Sequence, residues 1–461
     1  MRPDAAPMRI VVIGGGISGL SCAFRLQQLG SEVLLLESED RTGGVIRSVR
    51  RDGNLFEAGP QSFLLSPALA ELAGELGLED DLQLANPRAP RYVVIGGKLR
   101  AVPLGPLAFL TSGLLPGSTK WRLFSEAFHR TTPPADEESI AAFIRRKFGP
   151  ELLDRLVAPM VAGIYAGDAE RLSLRSAFPA LHKWEEQHGS LIRGMIKSRP
   201  SGGKSGGSSR GGLATLAGGN ESLVARLAER LGDRIQRSAR VVSITRAAAG
   251  TEARFEVVYD RAGRRETIPA AAVVIAAPAR VAAALLAPLV PAAADLARIE
   301  YAPVAVVSGS YMTEHLKSPL DGFGFLVPRA ERLRILGTVW NSALFPGRAP
   351  EGQSLLTSFV GGITDPAAGA LPDEPLYQTV ESELRRVLGI LLAPRARFAQ
   401  RWPQAIPQYN LGHAALTSRV LGALAESPGL HLVGNYLEGP AMGACVTVAN
   451  RVAAEACGRS S

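Results

Sequence analysis

The sequence predicts an α/β fold with a Rossmann-like dinucleotide-binding domain that is discontinuous along the chain. Two observations support this prediction. Residues 9–37 pass from apolar strand to glycine turn, amphipathic helix and apolar strand, and residues 429–458 return to strand, turn and helix. With 461 residues the chain exceeds one ordinary core, so further domains are expected between the two ends.

Composition and charge are those of a globular protein. Hydrophobic residues make up 46% and charged residues 20%, which excludes disordered and fibrous classes. The net charge of +8 comes mostly from scattered arginines, so nucleic acid is not expected as a partner. Phosphates, carboxylate-bearing substrates and anionic membrane surfaces fit this charge better.

Cysteine usage indicates a reducing compartment. Cys22, Cys445 and Cys457 lie far apart without a CxxC pair or a histidine cluster, so neither a disulfide framework nor a metal site is expected. The first residues form a short polar leader without a cleavage site, and whether translation starts at Met1 or Met8 stays open. A cytoplasmic location is therefore expected.

The turn of the N-terminal unit carries Gly14, Gly16 and Gly19. Residues without a Cβ let backbone N–H groups and the positive end of a helix approach a pyrophosphate. Glu37 closes the second strand, where its carboxylate can accept from both hydroxyls of an adenosine ribose and repel a 2′-phosphate. The pattern favours FAD or NAD over NADP; a glycine-rich turn that binds nothing is the alternative.

Further elements are predicted along the middle of the chain. A helix between Asp136 and Gly149, capped by Asp136, has an apolar stripe, and Pro150 opens the next helix. The Gly/Ser tract at 198–212 indicates a linker or loop. A capped helix is predicted at 218–232, and strands are predicted at 240–248, 253–260 and 266–278.

The most apolar stretch outside the first unit runs from Ala101 to Gly117. It contains Pro103, Pro106 and Pro116, whereas crossing a bilayer takes about 20 unbroken apolar residues. The stretch is therefore expected to contact a membrane surface, to line a cavity or to join an ordinary core.

The segment after Glu37 separates the two dinucleotides. In "ESEDRTGG" Arg41 precedes Gly43 and Gly44, which resembles the signature of FAD-containing enzymes of the amine oxidase and carotenoid desaturase superfamily. The resemblance implies that the glycine pair lets the chain pass close to the phosphates of FAD and that Arg41 adds positive charge. Non-covalent FAD is the expected cofactor.

The C-terminal turn "YLEGPAMGA" agrees with this cofactor. Its amides at Met442 and Gly443 begin a helix and are expected to face the pyrimidine carbonyls of the flavin, where they stabilise negative charge. An ordinary capped C-terminal helix is the alternative.

Over nearly its full length the chain resembles the bacterial FAD-dependent protoporphyrinogen oxidase family. The similarity covers blocks that follow the family's order. They are "FEAGPQSF" (56–63), "GIYAGDAERLSLRSAFPAL" (163–181), "GFGFLVP" (322–328), "LGTVWNSALFPGRAP" (336–350), "LLTSFVGG" (355–362) and "WPQAIPQYNLGH" (402–413).

The resemblance implies three interleaved parts. They are an FAD-binding domain of the p-hydroxybenzoate hydroxylase type (1–62, 213–295 and 425–461), a mixed-sheet substrate-binding domain (63–98 and 296–424) and a helical membrane-associated domain (99–212). The third part implies peripheral attachment to the inner face of the cell membrane. A homodimer and hand-over of product to ferrochelatase are further expectations.

The resemblance also implies the chemistry. The family oxidises protoporphyrinogen IX to protoporphyrin IX with O2 and releases H2O2, beginning with hydride transfer from a meso carbon to the flavin. Such a step needs positioning and a dry pocket more than a strong base. The sequence accordingly shows no obvious catalytic His–Asp or paired-carboxylate set.

Matching motifs imply the site residues. Gly163 resembles the catalytic glycine whose backbone carbonyl lies near the pyrrole nitrogens of the substrate, with a helix terminator as the alternative. The implied substrate-binding residues are Gly163, Gln61, Phe323, Leu326 and Phe359, although the three apolar ones could equally be core. The implied FAD contacts are Gly14, Gly15, Gly16, Ser18, Gly19, Glu37, Arg41, Gly43, Gly44, Val242, Trp402, Gly434, Met442 and Gly443.

One position departs from the family pattern. Gln61 stands where several relatives carry an arginine that pairs with a substrate propionate, which leaves the choice of porphyrinogen open. Oxidation of coproporphyrinogen III to coproporphyrin III on the same fold is therefore a rival function.

Two other functions stay open but are disfavoured. A flavin amine oxidase commonly holds a water with a lysine on a substrate-domain strand, and the segment at 298–312 has no lysine. A non-enzymatic relative such as a prenyl-GTPase escort protein is disfavoured by Glu37, Arg41 and the glycine-rich C-terminal turn.

Overall fold

The computed structural model of the chain describes residues 9–103, 108, 111–198, 211–317 and 320–458. The predicted Gly/Ser tract at 198–212 lies almost wholly outside these ranges, and so do residues 104–107, 109 and 110 of the apolar stretch from Ala101 to Gly117.

The described strands are short and fall into several sheets. They are β1 (Ile10–Ile13), β2 (Val33–Leu36), β3 (Ser48–Arg51), β4 (Asn54–Glu57), β5 (Phe63–Leu64), β6 (Leu82–Leu84), β7 (Arg91–Ile95), β8 (Lys98–Ala101), β9 (Leu213–Leu216), β10 (Ile235–Gln236), β11 (Ala239–Arg246), β12 (Phe255–Arg261), β13 (Arg264–Ala270), β14 (Ala272–Ile275), β15 (Tyr301–Met312), β16 (Gly324–Leu326), β17 (Ile335–Trp340), β18 (Gln353–Gly361), β19 (Ala396–Pro407) and β20 (Leu430–Leu432).

The described α-helices are interspersed with these strands. They are α1 (Ile17–Gln28), α2 (Pro67–Glu75), α3 (Gly117–Glu126), α4 (Ile140–Phe148), α5 (Pro150–Leu152), α6 (Ala158–Tyr165), α7 (Leu174–Ala177), α8 (Pro179–His188), α9 (Leu191–Lys197), α10 (Glu221–Leu231), α11 (Ala279–Leu286), α12 (Asn341–Leu344), α13 (Pro366–Gly369), α14 (Asp373–Leu388), α15 (His413–Ala425) and α16 (Met442–Ala456).

One layer is a parallel sheet with the strand order β10–β2–β1–β14–β20. Its strands come from the N-terminal, central and C-terminal parts of the chain, so the prediction that both chain ends join one layer is confirmed. Because parallel strands end at the same edge, the turns after β1, β14 and β20 meet there.

Helices α1 and α16 cover one face of this sheet. Leu20 and Cys22 of α1 and Val446 and Ala449 of α16 are completely or almost completely buried in one apolar cluster with strand residues such as Val12. Burial of these side chains fixes both helices on the sheet and brings their N-termini to its carboxyl edge.

The strand predicted at 266–278 is two strands in two different sheets. Its first part is β13, which completes an antiparallel β11–β12–β13 sheet, and its second part is β14 of the parallel sheet. The chain changes sheets at Ala271, whose N–H donates to the carbonyl of Arg9 over 2.9 Å. Residues 268–278 are all apolar and run without interruption across this break, so they give no local sign of it.

A mixed sheet with the order β19–β15–β18–β17–β16–β7–β8 forms the second large layer. Neighbouring strands are antiparallel except for β16 and β7, which are parallel. The predicted mixed sheet is therefore present. Smaller sheets pair β3 with β4 and place β9 between β5 and β6.

The helices from α3 to α9 form a separate apolar cluster that includes Phe143 and Phe148 of the predicted stripe. The predicted cap at Asp136 is wrong: α4 begins after Ser139, whose Oγ accepts from the N–H of Ala142 over 3.1 Å. Asp136 is exposed, and both Asp and Ser are good N-caps, so local sequence could not choose between them. In the described part of the chain, no helix is long and apolar enough to cross a membrane.

The helix that Pro150 opens continues through a π-helical segment, Leu153–Val157, into α6. Such segments insert an extra residue per turn and are frequent near functional sites. The resulting register places Gly163 of α6 opposite the mixed sheet.

Candidate active site

The first glycine turn joins β1 to α1 by a close approach of backbone to backbone. Gly14 has a φ of +108°, and a Cβ on Gly19 would lie 1.9 Å from the carbonyl oxygen of Gly14. In contrast, a Cβ on Gly16 would meet no atom within 4 Å. The turn therefore leaves open space at the N-terminus of α1, where backbone N–H groups lack helical partners.

Glu37 lies against this turn from the end of β2. Its Oε2 accepts from the N–H of Gly15 over 2.6 Å, and its Oε1 accepts from the N–H of Glu39 over 2.8 Å. The side chain is buried. Glu37 therefore lies next to the first glycine turn, as predicted. Backbone N–H groups hold its carboxylate in place.

The second glycine turn packs on the first. Gly43 and Gly44 have φ values of +105° and +58°, and the N–H of Gly43 donates to the carbonyl of Gly15 over 2.7 Å. Arg41 donates to the carbonyls of Thr42 and Gly44. Its guanidinium therefore shapes the turn as well as adding positive charge beside it.

The C-terminal elements reach the same edge. Ser18 of α1 hydrogen bonds to the thiol of Cys445 in α16, and burial raises the pKa of this thiol. Met442 is buried, and a Cβ on Gly443 would lie 2.4 Å from Oγ of Ser66. The N-termini of α1 and α16 therefore lie close together, and both offer backbone donors.

Three other predicted cofactor contacts, Gly434, Val242 and Trp402, have different surroundings. Gly434 follows β20 and would clash with the ring of Tyr436 if it carried a Cβ. Val242 is 42% exposed at an irregular register in β11. Trp402 of β19 donates from Nε1 to the carbonyl of Ala58 over 2.6 Å.

The segment Glu57–Gln61, which we name the acid loop, passes over the second glycine turn. A Cβ on Gly59 would lie 2.0 Å from the carbonyl oxygen of Val45. Gln61 is buried, and its Nε2 donates to the carbonyls of Glu57 and Gly59, both over 2.9 Å. Its Oε1 accepts from Nδ2 of Asn341 over 2.8 Å.

These contacts bear on the predicted role of Gln61. Its polar atoms are occupied inside the protein, so the structure gives it a role in fixing the acid loop, and its contact with a substrate carboxylate stays a prediction. Asn341, which the sequence did not single out, is also buried, and its Oδ1 has no hydrogen-bond partner among the described residues. Such an acceptor needs a donor from a ligand or water.

The predicted substrate residues Gly163, Leu326 and Phe359 come together. A Cβ on Gly163 would lie 2.7 Å from Cδ2 of Leu326. Leu326 of β16 pairs with Gly337 of β17, and Gly337 pairs with Phe359 of β18, so these three residues form one row on the sheet. The central residue is glycine, and Cδ2 of Leu326 lies 3.1 Å from the position of a Cβ on Gly337, so Leu326 leans over this glycine.

Helix α6 meets this row at Leu326. Gly163 is exposed in its last turn, and no described residue donates to its carbonyl oxygen. Met160 and Ile164 of the same helix are 37% and 47% exposed. We name the region where α6 meets the Leu326–Phe359 row the apolar cleft.

Phe323 lies apart from that row. It packs in a small cluster with Leu344 and Phe345, and the guanidinium carbon of Arg91 lies 5.7 Å from its ring centre. Arg91 is exposed and forms no salt bridge with a described residue. Arg91 was not among the predicted site residues; the signal available in the sequence was an arginine at the start of the apolar strand "RYVVI".

A surface cleft of about 310 Å³ lies elsewhere, between the segment that precedes α4 and helix α15. Its lining includes Asp136, Arg175, His182 and Ser418 but none of the predicted site residues. The candidate site is therefore defined by the glycine turns and the apolar cleft.

The residues at the carboxyl edge fit FAD. Gly16 leaves space that only a ligand or water would fill, two helix N-termini supply donors, and Glu37 supplies a ribose acceptor. The apolar cleft offers apolar side chains to a large apolar substrate.

Comparisons with known proteins agree with this geometry. A family profile for "Flavin containing amine oxidoreductase" matches residues 17–457. Protoporphyrinogen oxidase 1 of Spinacia oleracea chloroplasts is 36% identical over 479 residues, which cover 96% of this chain and 83% of the relative. Coproporphyrinogen III oxidase of Bacillus subtilis (strain 168) is 31% identical over 456 residues, which cover 95% of each protein.

A solved structure shows the same architecture over the whole chain. The crystal structure of a candidate protoporphyrinogen oxidase from Exiguobacterium sp. 255-15 matches with a TM-score of 0.81 and 26% identity, and the match covers 98% of each chain. The α/β arrangement and the mixed sheet are thus shared with this protein.

Proposed function

The chain belongs to the flavin-containing amine oxidoreductase family, and we propose that it oxidises protoporphyrinogen IX to protoporphyrin IX with O2 as acceptor and releases H2O2. The observation that carries the proposal is the apolar cleft, in which Gly163, whose carbonyl accepts from no described residue, lies against Leu326 of the Leu326–Phe359 row.

The protein is an FAD-dependent oxidoreductase. When bound, FAD supplies hydride acceptance and the return of electrons to oxygen. We propose that the glycine turns and the N-terminus of α1 hold its phosphates, Glu37 its ribose and the N-terminus of α16 its ring. The fixed backbone donors of these turns need no rearrangement to bind an anion.

The apolar cleft positions the macrocycle. Leu326 and Phe359 offer apolar faces, while the carbonyl of Gly163 offers an acceptor to the pyrrole N–H groups of a porphyrinogen. Contact between the apolar walls and the macrocycle excludes water from the reacting carbon. No strong general base is required for this role, and the cleft has none among the residues described above.

Arg91 supplies the charge that position 61 lacks. It is exposed, has no carboxylate partner among the described residues and lies over the ring of Phe323. A guanidinium there is suited to a bidentate bond with a substrate carboxylate while Phe323 packs on the macrocycle. We therefore assign Arg91 as the recognition residue for a propionate.

The test offers the purified FAD-loaded enzyme protoporphyrinogen and coproporphyrinogen in separate aerobic assays and follows porphyrin fluorescence. Faster turnover of the dicarboxylate protoporphyrinogen is expected. Rapid turnover of only the tetracarboxylate would overturn the proposal and favour coproporphyrinogen III oxidation, the second candidate, which the B. subtilis relative supports.

Peripheral attachment to the inner face of the cell membrane is part of the proposal. In α3 and just beyond it, Trp121, Phe124 and Phe128 are 67%, 53% and 68% exposed and form one aromatic ridge. Exposed aromatic side chains at this spacing suit the interface of a bilayer, and the net charge of +8 favours anionic lipid. A homodimer and hand-over to ferrochelatase stay predictions.

A further inference from the structure

An ion pair that the proposed chemistry does not use is buried beside the acid loop. Arg348 lies in the connection between α12 and β18, and Glu57 lies at the end of β4. Nη1 of Arg348 donates to Oε1 of Glu57 over 2.8 Å, and each side chain is only 2% exposed. The two residues are 291 positions apart in sequence.

Both charges have additional partners. Glu57 also accepts from Oγ of Ser48 over 2.6 Å and from the N–H of Asn220 over 2.9 Å. Arg348 also donates to Oγ1 of Thr215 and, over 3.1 Å, to the carbonyl of Leu216. A buried ion pair persists when its remaining hydrogen-bonding atoms are satisfied in this way.

The pair is suited to fixing orientation. An apolar pair of similar volume packs about as well, because burying two charges is costly. The planar guanidinium of Arg348, however, donates in fixed directions to Glu57, Thr215 and Leu216 at once. The position of the connection before β18 is thereby tied to the acid loop.

The acid loop in turn contacts the glycine turns. Gly59 follows Glu57 by two residues, and it lies so close to Val45 that a Cβ on Gly59 would be 2.0 Å from the carbonyl oxygen of Val45. Val45 directly follows the second glycine turn, whose Gly43 donates to Gly15 of the first. A continuous series of contacts therefore leads from Arg348 to the turn where the phosphates of FAD are expected.

The mixed sheet holds the acid loop at two more points. Nδ2 of Asn341, which directly follows β17, donates to Gln61, and Nε1 of Trp402, in β19, donates to Ala58. The loop is thus fixed from one side by the mixed sheet and from the other by the glycine turns.

We propose that Arg348 is a positioning residue which, through Glu57, holds the acid loop against the glycine turns and so couples FAD affinity to the alignment of the mixed sheet. The coupling is reciprocal, so FAD should also order the connection that carries Arg348. The inference concerns the cofactor and does not depend on which porphyrinogen is oxidised.

Replacement of Arg348 by Met tests this directly. Burial raises the pKa of Glu57, so without Arg348 this carboxyl can take up a proton instead of remaining an isolated buried charge. The double variant Glu57→Gln with Arg348→Met removes both charges. Arg348→Lys keeps the positive charge but lacks the planar guanidinium with its several fixed donors. Arg334→Met is the matched control, because Arg334 pairs with Asp365 in a half-exposed site away from the glycine turns.

Three quantities are measured: the Kd for FAD of each apoprotein by fluorescence, the absorption spectrum of bound flavin, and hydrogen exchange at residues 345–353 with and without FAD. Arg348→Met and the double variant should raise the Kd about tenfold or more, and Arg348→Lys should recover part of the affinity. FAD should slow exchange at 345–353 in the parent but not in Arg348→Met. Arg334→Met should behave as the parent.

Parental Kd and flavin spectrum in Arg348→Met or in the double variant would overturn the proposal, even with a lowered Tm. Failure of both variants to fold would overturn it as well, because the pair would then serve the core as a whole.

Discussion

Leu326 occupies the space that a side chain on residue 163 would need: its Cδ2 lies 2.7 Å from the position of a Cβ on Gly163. The two residues come from α6 and β16, so their contact joins the two sides of the apolar cleft. Because Cδ2 is the flexible end of a side chain, a methyl group at 163 can be accommodated only if Leu326 moves.

Replacement of Gly163 by Ala should displace Leu326 and lower kcat/KM for porphyrinogen about tenfold to a hundredfold, since small misplacements at a site of reaction are costly. Bound FAD should be unchanged. The double variant Gly163→Ala with Leu326→Ala should recover part of the activity. The control is Gly422→Ala, because a Cβ at this helical position meets no atom within 4 Å; unchanged activity and a stability gain of about 0.5–1 kcal/mol are expected.

Replacement of Gly16 by Leu should give a folded protein without flavin. The chain has open space at this position and a φ of −74°, so the fold tolerates a side chain that nevertheless occupies the expected phosphate space. Absorbance at the flavin band and the Tm of the apoprotein are measured together. A yellow variant with parental FAD content would remove the first glycine turn from the proposed cofactor site.

Replacement of Arg91 by Met should raise the KM for porphyrinogen about tenfold or more with little change in kcat, because a hydrogen bond to a charged group contributes about 1.5–3 kcal/mol. Steady-state kinetics on the FAD-loaded enzyme measure KM and kcat separately. Arg100→Met on the neighbouring strand β8 is the control, since Arg100 is exposed and pairs across from Val93. Equal effects of the two variants would contradict the assigned role of Arg91.

Replacement of Trp121, Phe124 and Phe128 by Ser should reduce binding to vesicles that contain anionic lipid at least about tenfold, because each buried aromatic side chain contributes about 1.5–3 kcal/mol. Sedimentation with vesicles gives the bound fraction. The matched control changes Leu391 and Leu392, which are also exposed, to Ser. Loss of binding in the control alone would place the contact elsewhere.

Stability should fall in acid because of Glu185 of α8. Burial disfavours its charged form, but hydrogen bonds from Arg146, Thr131 and Lys147 outweigh this effect and lower its pKa to about 2. A carboxyl whose pKa is lower in the folded than in the unfolded chain stabilises the fold above the ordinary value of 4.5, and this contribution is lost as the pH falls toward 2.

Thermal unfolding between pH 7 and pH 3 measures this dependence. Glu185→Gln should lower the Tm at pH 7, because it leaves the buried cation of Lys147 short of a partner, and should weaken the loss of stability in acid. If the Tm of the variant fell with pH as steeply as the Tm of the parent, groups other than Glu185 would determine the loss of stability in acid.

The local parts of the candidate site could be predicted from the sequence. The strand, glycine turn and helix around Gly14 and Gly19 follow one another within about one βαβ unit, and Glu37 ends the next strand. Their mutual positions depend on short-range geometry, so spacing alone was sufficient. The helix cap at Ser139 and the break at Ala271 were missed, since several residues satisfy the same local rule.

The long-range parts could not be predicted. Gln61 occupies a position where the resemblance implied a substrate contact, yet its polar atoms bond to Glu57, Gly59 and Asn341. Arg348 carried no distinguishing pattern in the sequence, because an arginine in a chain rich in arginine gives no sign of burial or of its partner.

By itself, then, the sequence determined the class of cofactor, the α/β layer built from both chain ends and the family of the chain, because these follow from contiguous motifs and their order. Only the tertiary structure decided that Leu326 meets Gly163, that Trp402 holds Ala58 and that Arg348 pairs with Glu57. The physical reason is distance along the chain: the last two contacts join residues 344 and 291 positions apart, and only packing of the two sheets brings such residues into hydrogen-bonding range.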